Sequence, residues 1–209
     1  MVIESMLTFI LASLLICIAP GPDNLFVLTQ SALYGRKTGV LVTLGLCSGL
    51  LVHTTFVALG GAVIFQASQI GFSVLKVVGA MYLLYLAWLA FTSSVFEVAS
   101  PNAIVRSAKA FYIRGVIMNL TNPKVSIFFL AFLPQFTQPE NGGLIEQLFI
   151  LGAVFILVAL LIFSSIALLA GSLGDWLAHS PKGQVLLNRV AGMVFVGLAL
   201  KLAISDVGS

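Results

Sequence analysis

The sequence predicts an all-α, polytopic membrane protein of six transmembrane helices, two of them broken, arranged as two halves of three in a 3+3 inverted-topology repeat. Three observations carry that prediction. First, of 209 residues 60% are hydrophobic and only 8% charged, whereas a soluble domain wets its surface with about 25% Asp, Glu, Lys and Arg. Second, the apolar residues come in long runs, and a helix crossing roughly 30 Å of hydrocarbon at about 1.5 Å per residue needs about 20 of them. Runs such as LFILGAVFILVALLIFSSIALLAG lack the strict alternation of a membrane β-barrel strand. Third, the basic residues gather in alternate links between the runs, as in a chain that crosses a bilayer repeatedly.

The segments run over 6–33, 40–65, 72–91, 112–133, 145–171 and 187–204. The first contains Pro20, Gly21 and Pro22, which break or kink it. The fourth is interrupted at Asn122-Pro123. The widest polar gap, 92–111, is too short for an aqueous domain, so 1–209 is expected to be one membrane domain with halves 1–96 and 112–204. A cleaved leader is not expected: the first positive charge is Arg36, and Glu4 stands where a basic leader would be. Cys17 and Cys47 both lie in apolar surroundings and are expected to be buried small side chains, not a disulfide or a metal site.

Charge orients the bundle. Arg36 and Lys37 follow the first segment, Arg106, Lys109 and Arg114 precede the fourth or begin it, and Lys182 and Arg189 precede the sixth. All three links are expected to be cytoplasmic. The opposite links fit, since 66–71 is uncharged and the one after Pro134 holds Glu140 and Glu146. Both termini then face outward, which in bacteria is the periplasm. Lys76 and Lys201 sit on the wrong side of this count and are expected to snorkel to the interface.

The halves echo one another. Lys76-Val77-Val78-Gly79 before MYLLYLAW resembles Arg189-Val190-Ala191-Gly192 before MVFVGLAL, which places the third segment beside the sixth. The Pro22 break is likewise matched by the Pro123 break. Interrupted helices in corresponding positions of inverted halves point to the midplane site of a secondary transporter.

The two breaks carry the chemistry. In APGPDNLFVL, Pro20 and Pro22 donate no backbone hydrogen bond, and Asp23 and Asn24 open the next helical stretch. Backbone interrupted within hydrocarbon must face protein or a wet cavity. By count Asp23 lies well inside the membrane, where an ionised carboxylate needs a partner, water or a cationic ligand. The competing reading is that Asp23 only caps the second half-helix. In GVIMNLTNPKVSIFFLAFLPQF, Asn122 and Pro123 have the pattern of an N-cap and first helical residue. Lys124 lies ten residues beyond Arg114 and ten before Pro134, near the midplane. Either it snorkels toward the cytoplasm, or it and Asp23 lie on opposed half-helix starts in one central cavity. Such a cavity suits a small zwitterion, with Lys124 taking a carboxylate, Asp23 an ammonium, and Asn24, Asn119 and Asn122 adding neutral hydrogen bonds. A lipid, a nucleotide or a bare metal ion fits less well. No cofactor and no nucleic-acid partner is expected.

Four separated stretches in this order, APGPDNLFVL, KVVGAMYLLYLAW, NLTNPKVSIFFLAFLPQF and NRVAGMVFVGLALKLA, together resemble the lysine exporter and homoserine/threonine efflux family of bacterial inner-membrane transporters. The resemblance spans about residues 5–204. It implies a compact six-helix exporter of amino acids or their analogues, driven by proton antiport, with a homodimer as a candidate assembly. Its proline-glycine-proline motif falls on Pro20, Gly21 and Pro22, beside Asp23 and Asn24, and its asparagine-proline-lysine motif on Asn122, Pro123 and Lys124. It leaves the substrate open among homoserine, threonine, leucine and basic amino acids.

Other polar positions admit two readings. His53 is either a proton relay working with Asp23 or a packed neutral histidine. Thr54, Thr55, Ser164 and Ser165 are expected to donate between helices. His179 falls in an expected cytoplasmic loop. Gly35, Gly39, Gly45 and Gly49 suggest close packing of helices or of protomers. Tyr82, Tyr85 and Trp88 either line the pathway or form an aromatic belt. Among other classes, an enzyme is disfavoured: Asp23 is the one aspartate expected within a helix, and no H-E-x-x-H or nucleotide-binding loop occurs. The remaining alternative is a channel or facilitator for a small zwitterionic or cationic solute.

Overall fold

The computed structural model describes residues 3–61, 69–93, 107–138, 140 and 142–204. Among them every regular element is helical. Helix α1 (Ile3–Ile18) and helix α2 (Pro22–Tyr34) meet at 54°. The bend has a local cause. Pro20 and Pro22 cannot donate, Gly21 is fully extended, and Pro22 with its fixed φ opens the new helix. Helix α2 ends at Gly35, whose φ of 87° is a backbone region that disfavours side chains. Helix α3 (Arg36–Phe56) follows at once and relaxes into a wide turn over Val57–Gly61. Helix α4 covers Gln69–Thr92.

The second break resembles the first. Helix α5 (Ala108–Leu120) meets helix α6 (Pro123–Ile127) at a break bent by 50°. From there the chain continues as a wide turn over Phe128–Phe132 and a tight one over Leu133–Phe136. Helix α7 (Leu144–His179) has 36 residues, and helix α8 (Pro181–Ile204) begins after Ser180 alone. At about 1.5 Å per residue α7 is about 54 Å long. The sequence expectation of a helix end near 171 and a loop around His179 is therefore corrected. Glycines weaken a helix without stopping it, and the actual stop is Pro181, whose first turn Ser180 caps by accepting from Gly183 N at 3.2 Å.

Three helices are long and apolar enough to cross a membrane alone: Arg36–Gly60, Leu144–Ala170 and Lys182–Ile204. Each bent pair adds one more, which gives five candidate spans among the described residues. Within α4 the apolar stretch Lys76–Thr92 is shorter than a full crossing. This is the architecture of a multi-pass membrane protein.

Close approach sets the packing. Gly45 of α3 and Gly115 of α5 lie back to back. A Cβ on either would press on backbone of the other helix, the Cα atoms standing 3.0 and 3.1 Å from those positions. Gly39, Gly45 and Gly49 thus serve helix contacts within the chain, the small-residue solution by which helices pack in lipid, whereas Gly35 has nothing within 4 Å and serves the turn. Helix α4 packs chiefly on α8, the neighbour that the sequence echo requires. Helix α7 runs through the middle, against α1, α2 and α3. Buried phenylalanines fill the space beside the two breaks, with Phe128 and Phe129 at 5.0 and 5.1 Å from Phe155 and Phe9 at 5.1 Å from Phe136.

Two polar expectations change. Thr54, Thr55 and Ser165 donate to Leu50, Leu51 and Leu161 of their own helices, not across to others. A hydroxyl in a helix finds the carbonyl four residues back without ordering a neighbour. Lys201 places its ammonium 4.3 Å from the Phe136 ring centroid, a cation–π contact.

Candidate functional site

The site grows out of the first break. In an α-helix each carbonyl accepts from the N–H four residues on, and the last carbonyls have no such partner. Pro20 deprives Ile16 O of its donor, and extended Gly21 turns the following chain away from Ala19 O. Both carbonyls are served from the second break, because Lys124 Nζ donates to Ile16 O and to Ala19 O at 3.2 Å each. Asn24 Nδ2 donates to Cys17 O at 2.7 Å. The C-terminus of α1 is therefore capped by side chains, one of them from more than a hundred residues away.

The second break caps itself. Asn122 Oδ1 accepts from Lys124 N at 3.0 Å, and Pro123 is the first helical residue, as the sequence pattern predicts. Asn119 O, which loses its donor to Pro123, accepts instead from Asn122 N at 3.0 Å. His53 Nε2 lies 3.4 Å from the same oxygen, with its ring 5.7 Å from that of Phe129. It stands at the end of α3, half-buried, at the margin of the site.

Asp23 and Lys124 are 1% and 4% exposed, so neither reaches solvent and the lysine does not snorkel. They line one cavity together with Cys17, Asn119 and the apolar side chains of Leu50 and Phe155. The ammonium is committed to the α1 carbonyls and makes no ion pair with the carboxylate. The Asn119 and Asn122 side chains flank that carboxylate. Yet Asp23 Oδ1, Asn24 Oδ1, Asn122 Nδ2 and both side-chain polar atoms of Asn119 are buried without a hydrogen-bond partner. Leaving such groups unpaired costs about 1–3 kcal/mol each, and a cluster of them in a packed core calls for an explanation. The set contains acceptors for a cation and donors for an anion side by side. The cavity itself holds about 10 Å³, room for about one water and far below the roughly 300 Å³ of a small-molecule pocket. In this conformation the cavity is too small for an amino acid.

All five polar residues singled out by sequence, Asp23, Asn24, Asn119, Asn122 and Lys124, thus converge, and His53 stands one residue away. Tyr85 and Trp88 do not join them: they point out of the bundle, 50% and 58% exposed, their rings stacked 6.1 Å apart along α4. The apolar wall from α3 and α7 was not legible, since Leu50 and Phe155 look like any other core residues. The bond from Lys124 to α1 had one signal that the sequence reading did not use: a proline at 20 orphans the carbonyl at 16.

With this geometry in place, comparison with known proteins decides the family. The family model for the LysE type translocator matches residues 14–206. The chain belongs to the LysE type translocator family. Its resemblance to exporters, first visible in four short stretches, therefore extends over nearly the whole translocator. The chain is 30% identical to a homoserine/homoserine lactone efflux protein of Salmonella typhimurium, over 97% of this chain and 98% of that one. It is 29% identical to a leucine efflux protein of Salmonella choleraesuis, over 94% and 93%. An uncharacterized membrane protein of Bacillus subtilis is 30% identical over 97% of this chain and all of its own length. No solved structure is significantly similar. The family is one of translocators, not of enzymes.

Proposed function

We propose that this translocator exports small amino acids from the bacterial cytoplasm by proton antiport, with alternating access around Asp23 and Lys124. The observation that carries the reading is the buried meeting of one acid, one base and three asparagines at two broken helices, with partnerless donors and acceptors at its centre. A zwitterion supplies both halves of what is missing: its ammonium goes to Asp23 and the asparagine oxygens, its carboxylate to Lys124 and the asparagine amides. Helix ends facing a cavity in the middle of the bundle are the usual site of secondary transporters.

In this reading the chain makes six crossings, counting each bent pair once and α4 as the third, in inner-membrane orientation with both termini periplasmic. The halves 1–96 and 112–204 are related by inversion. The near-equal bends of 54° and 50° and the pairing of α4 with α8 support that symmetry. Exposed Arg36, Lys37, Lys109, Lys182 and Arg189 lie at ends that share one side in this topology, which supports its placement in the cytoplasm. Asp23 is the proton carrier, with His53 as relay at the Asn119 carbonyl. A neutral substrate is favoured over a basic one, because Asp23 is the sole acid lining the cavity and the other walls are largely apolar. The names of the relatives, homoserine and leucine efflux proteins, agree. A cavity of only about 10 Å³ in a packed core supports a carrier over a continuously open channel.

The test is efflux from proteoliposomes loaded with a mixture of homoserine, threonine, leucine and lysine. Homoserine, threonine or leucine is expected to leave first, and faster under an inward proton gradient. Efflux indifferent to the gradient would refute antiport, and preferential loss of lysine would refute the neutral-substrate assignment.

A further inference from the structure

We infer that Lys124 is the fastener of the first break, and that a substrate carboxylate and the α1 carbonyls compete for its ammonium, so that loading the site unfastens α1. The inference rests on the export reading for the identity of the competitor, but the fastening stands on backbone chemistry alone.

The missing donor at Pro20 assigns Ile16 O as an orphan, and Lys124 Nζ is found on that oxygen and on Ala19 O, at 3.2 Å in both cases. The ammonium lies against the break itself, since a Cβ on Gly21 would stand 2.9 Å from Nζ. Ile16 is 2% exposed, Ala19 3% and Lys124 4%, so water is not at hand to replace the bond. A buried carbonyl stripped of its donor is costly, and this keeps the lysine seated in the absence of a stronger claimant. A carboxylate is such a claimant. The bonds from the ammonium to the carbonyls are charge-assisted on the donor side alone, whereas a carboxylate adds the attraction of a full opposite charge, which is strong where water is excluded. One ammonium proton is left over, but a cavity of about 10 Å³ has no room for a carboxylate while Nζ stays where it is. Binding the carboxylate and holding α1 therefore exclude one another. Once released, the end of α1 keeps, among the described residues, the hydrogen bond from Asn24 to Cys17 O and its apolar packing. The second break has no such dependence, because its orphan, Asn119 O, already holds a backbone N–H at 3.0 Å. The asymmetry makes α1 the half-helix that moves when substrate arrives.

A double-mutant cycle tests the fastening. Thermal unfolding of the purified full-length protein in detergent is followed for wild type, Lys124→Met, Pro20→Ala and the double variant. Lys124→Met is expected to lower Tm by several degrees. Pro20→Ala restores an N–H four residues beyond Ile16, so in the Lys124→Met background it is expected to recover much of that loss, making the cycle strongly non-additive. Where Lys124→Met yields too little folded protein, Lys124→Gln carries the same cycle. Additive effects would overturn the fastening.

The competition is read on Cys17, which is buried beside the break. In a Cys47→Ser background, leucine is expected to speed labelling of Cys17 by a small methanethiosulfonate several-fold, and to lose that effect when Pro20→Ala holds α1 independently. Slower labelling with leucine, or equal acceleration in Pro20→Ala, would overturn the competition. The thermal cycle contains no substrate. A failure there strikes the fastening, whereas leucine-loaded proteoliposomes that show no efflux strike the export reading for leucine.

Discussion

The two breaks look alike in sequence and in bend angle, yet they are held differently. At Asn122-Pro123 the capping bonds are local, with His53 adding a longer contact at 3.4 Å: Asn122 caps the helix it precedes, and its own N–H covers the carbonyl that Pro123 orphans. At Pro20-Gly21-Pro22 the gap is longer, Gly21 has no side chain to cap with, and the ends are satisfied by Asn24 from the next helix and by Lys124 from the other half of the chain. A proline break is therefore not one kind of object. One that caps itself is a rigid feature of the fold. One that borrows its cap is joined to whatever else the borrowed side chain can bind.

The comparison can be broken at graded cost. The largest effect is expected from Asp23→Asn, which removes the buried carboxylate and leaves both breaks formed. Proteoliposome efflux should fall to background while membrane insertion and Tm hold. Retained efflux would separate the first break from transport. Next is Gly21→Ala. Its new methyl group would stand 2.9 Å from Lys124 Nζ and push the ammonium from its place on the α1 carbonyls. Efflux is expected to drop several-fold with a lowered Tm, and an unaltered variant would mean that the lysine's seat is unimportant. The smallest is Asn122→Ala, which removes a local cap worth about 1 kcal/mol. A modest fall in Tm and a small loss of efflux are expected, since Pro123 still starts the helix. A collapse as deep as that of Asp23→Asn would show that the second break is not self-sufficient.

Much of the site could be read from the chain because its determinants are local. Proline removes a donor wherever it stands, and asparagine before proline caps a helix through its own backbone, so both breaks and the cap at Asn122 follow from residue identity. Counting residues from the membrane edge put Asp23 and Lys124 at similar depth. It could not say whether they faced each other. They share one cavity, but the ammonium is spent on α1 carbonyls and the acid lies beside the Asn119 and Asn122 side chains. Hydroxyl groups expected to bridge helices turned back on their own, for want of any penalty in doing so.

By itself, then, the sequence determined the solvent of the fold, the helical class, the two broken helices and the polar residues stationed at them. Those depend on composition and on bonds within a few residues. Only the tertiary structure decided that α3 and α5 touch at Gly45 and Gly115, that Leu50 and Phe155 wall the cavity, and that Lys124 reaches across to Ile16 and Ala19. Such contacts join positions far apart in the chain, and which of them form depends on how whole helices fill space together, a quantity no short stretch of sequence contains.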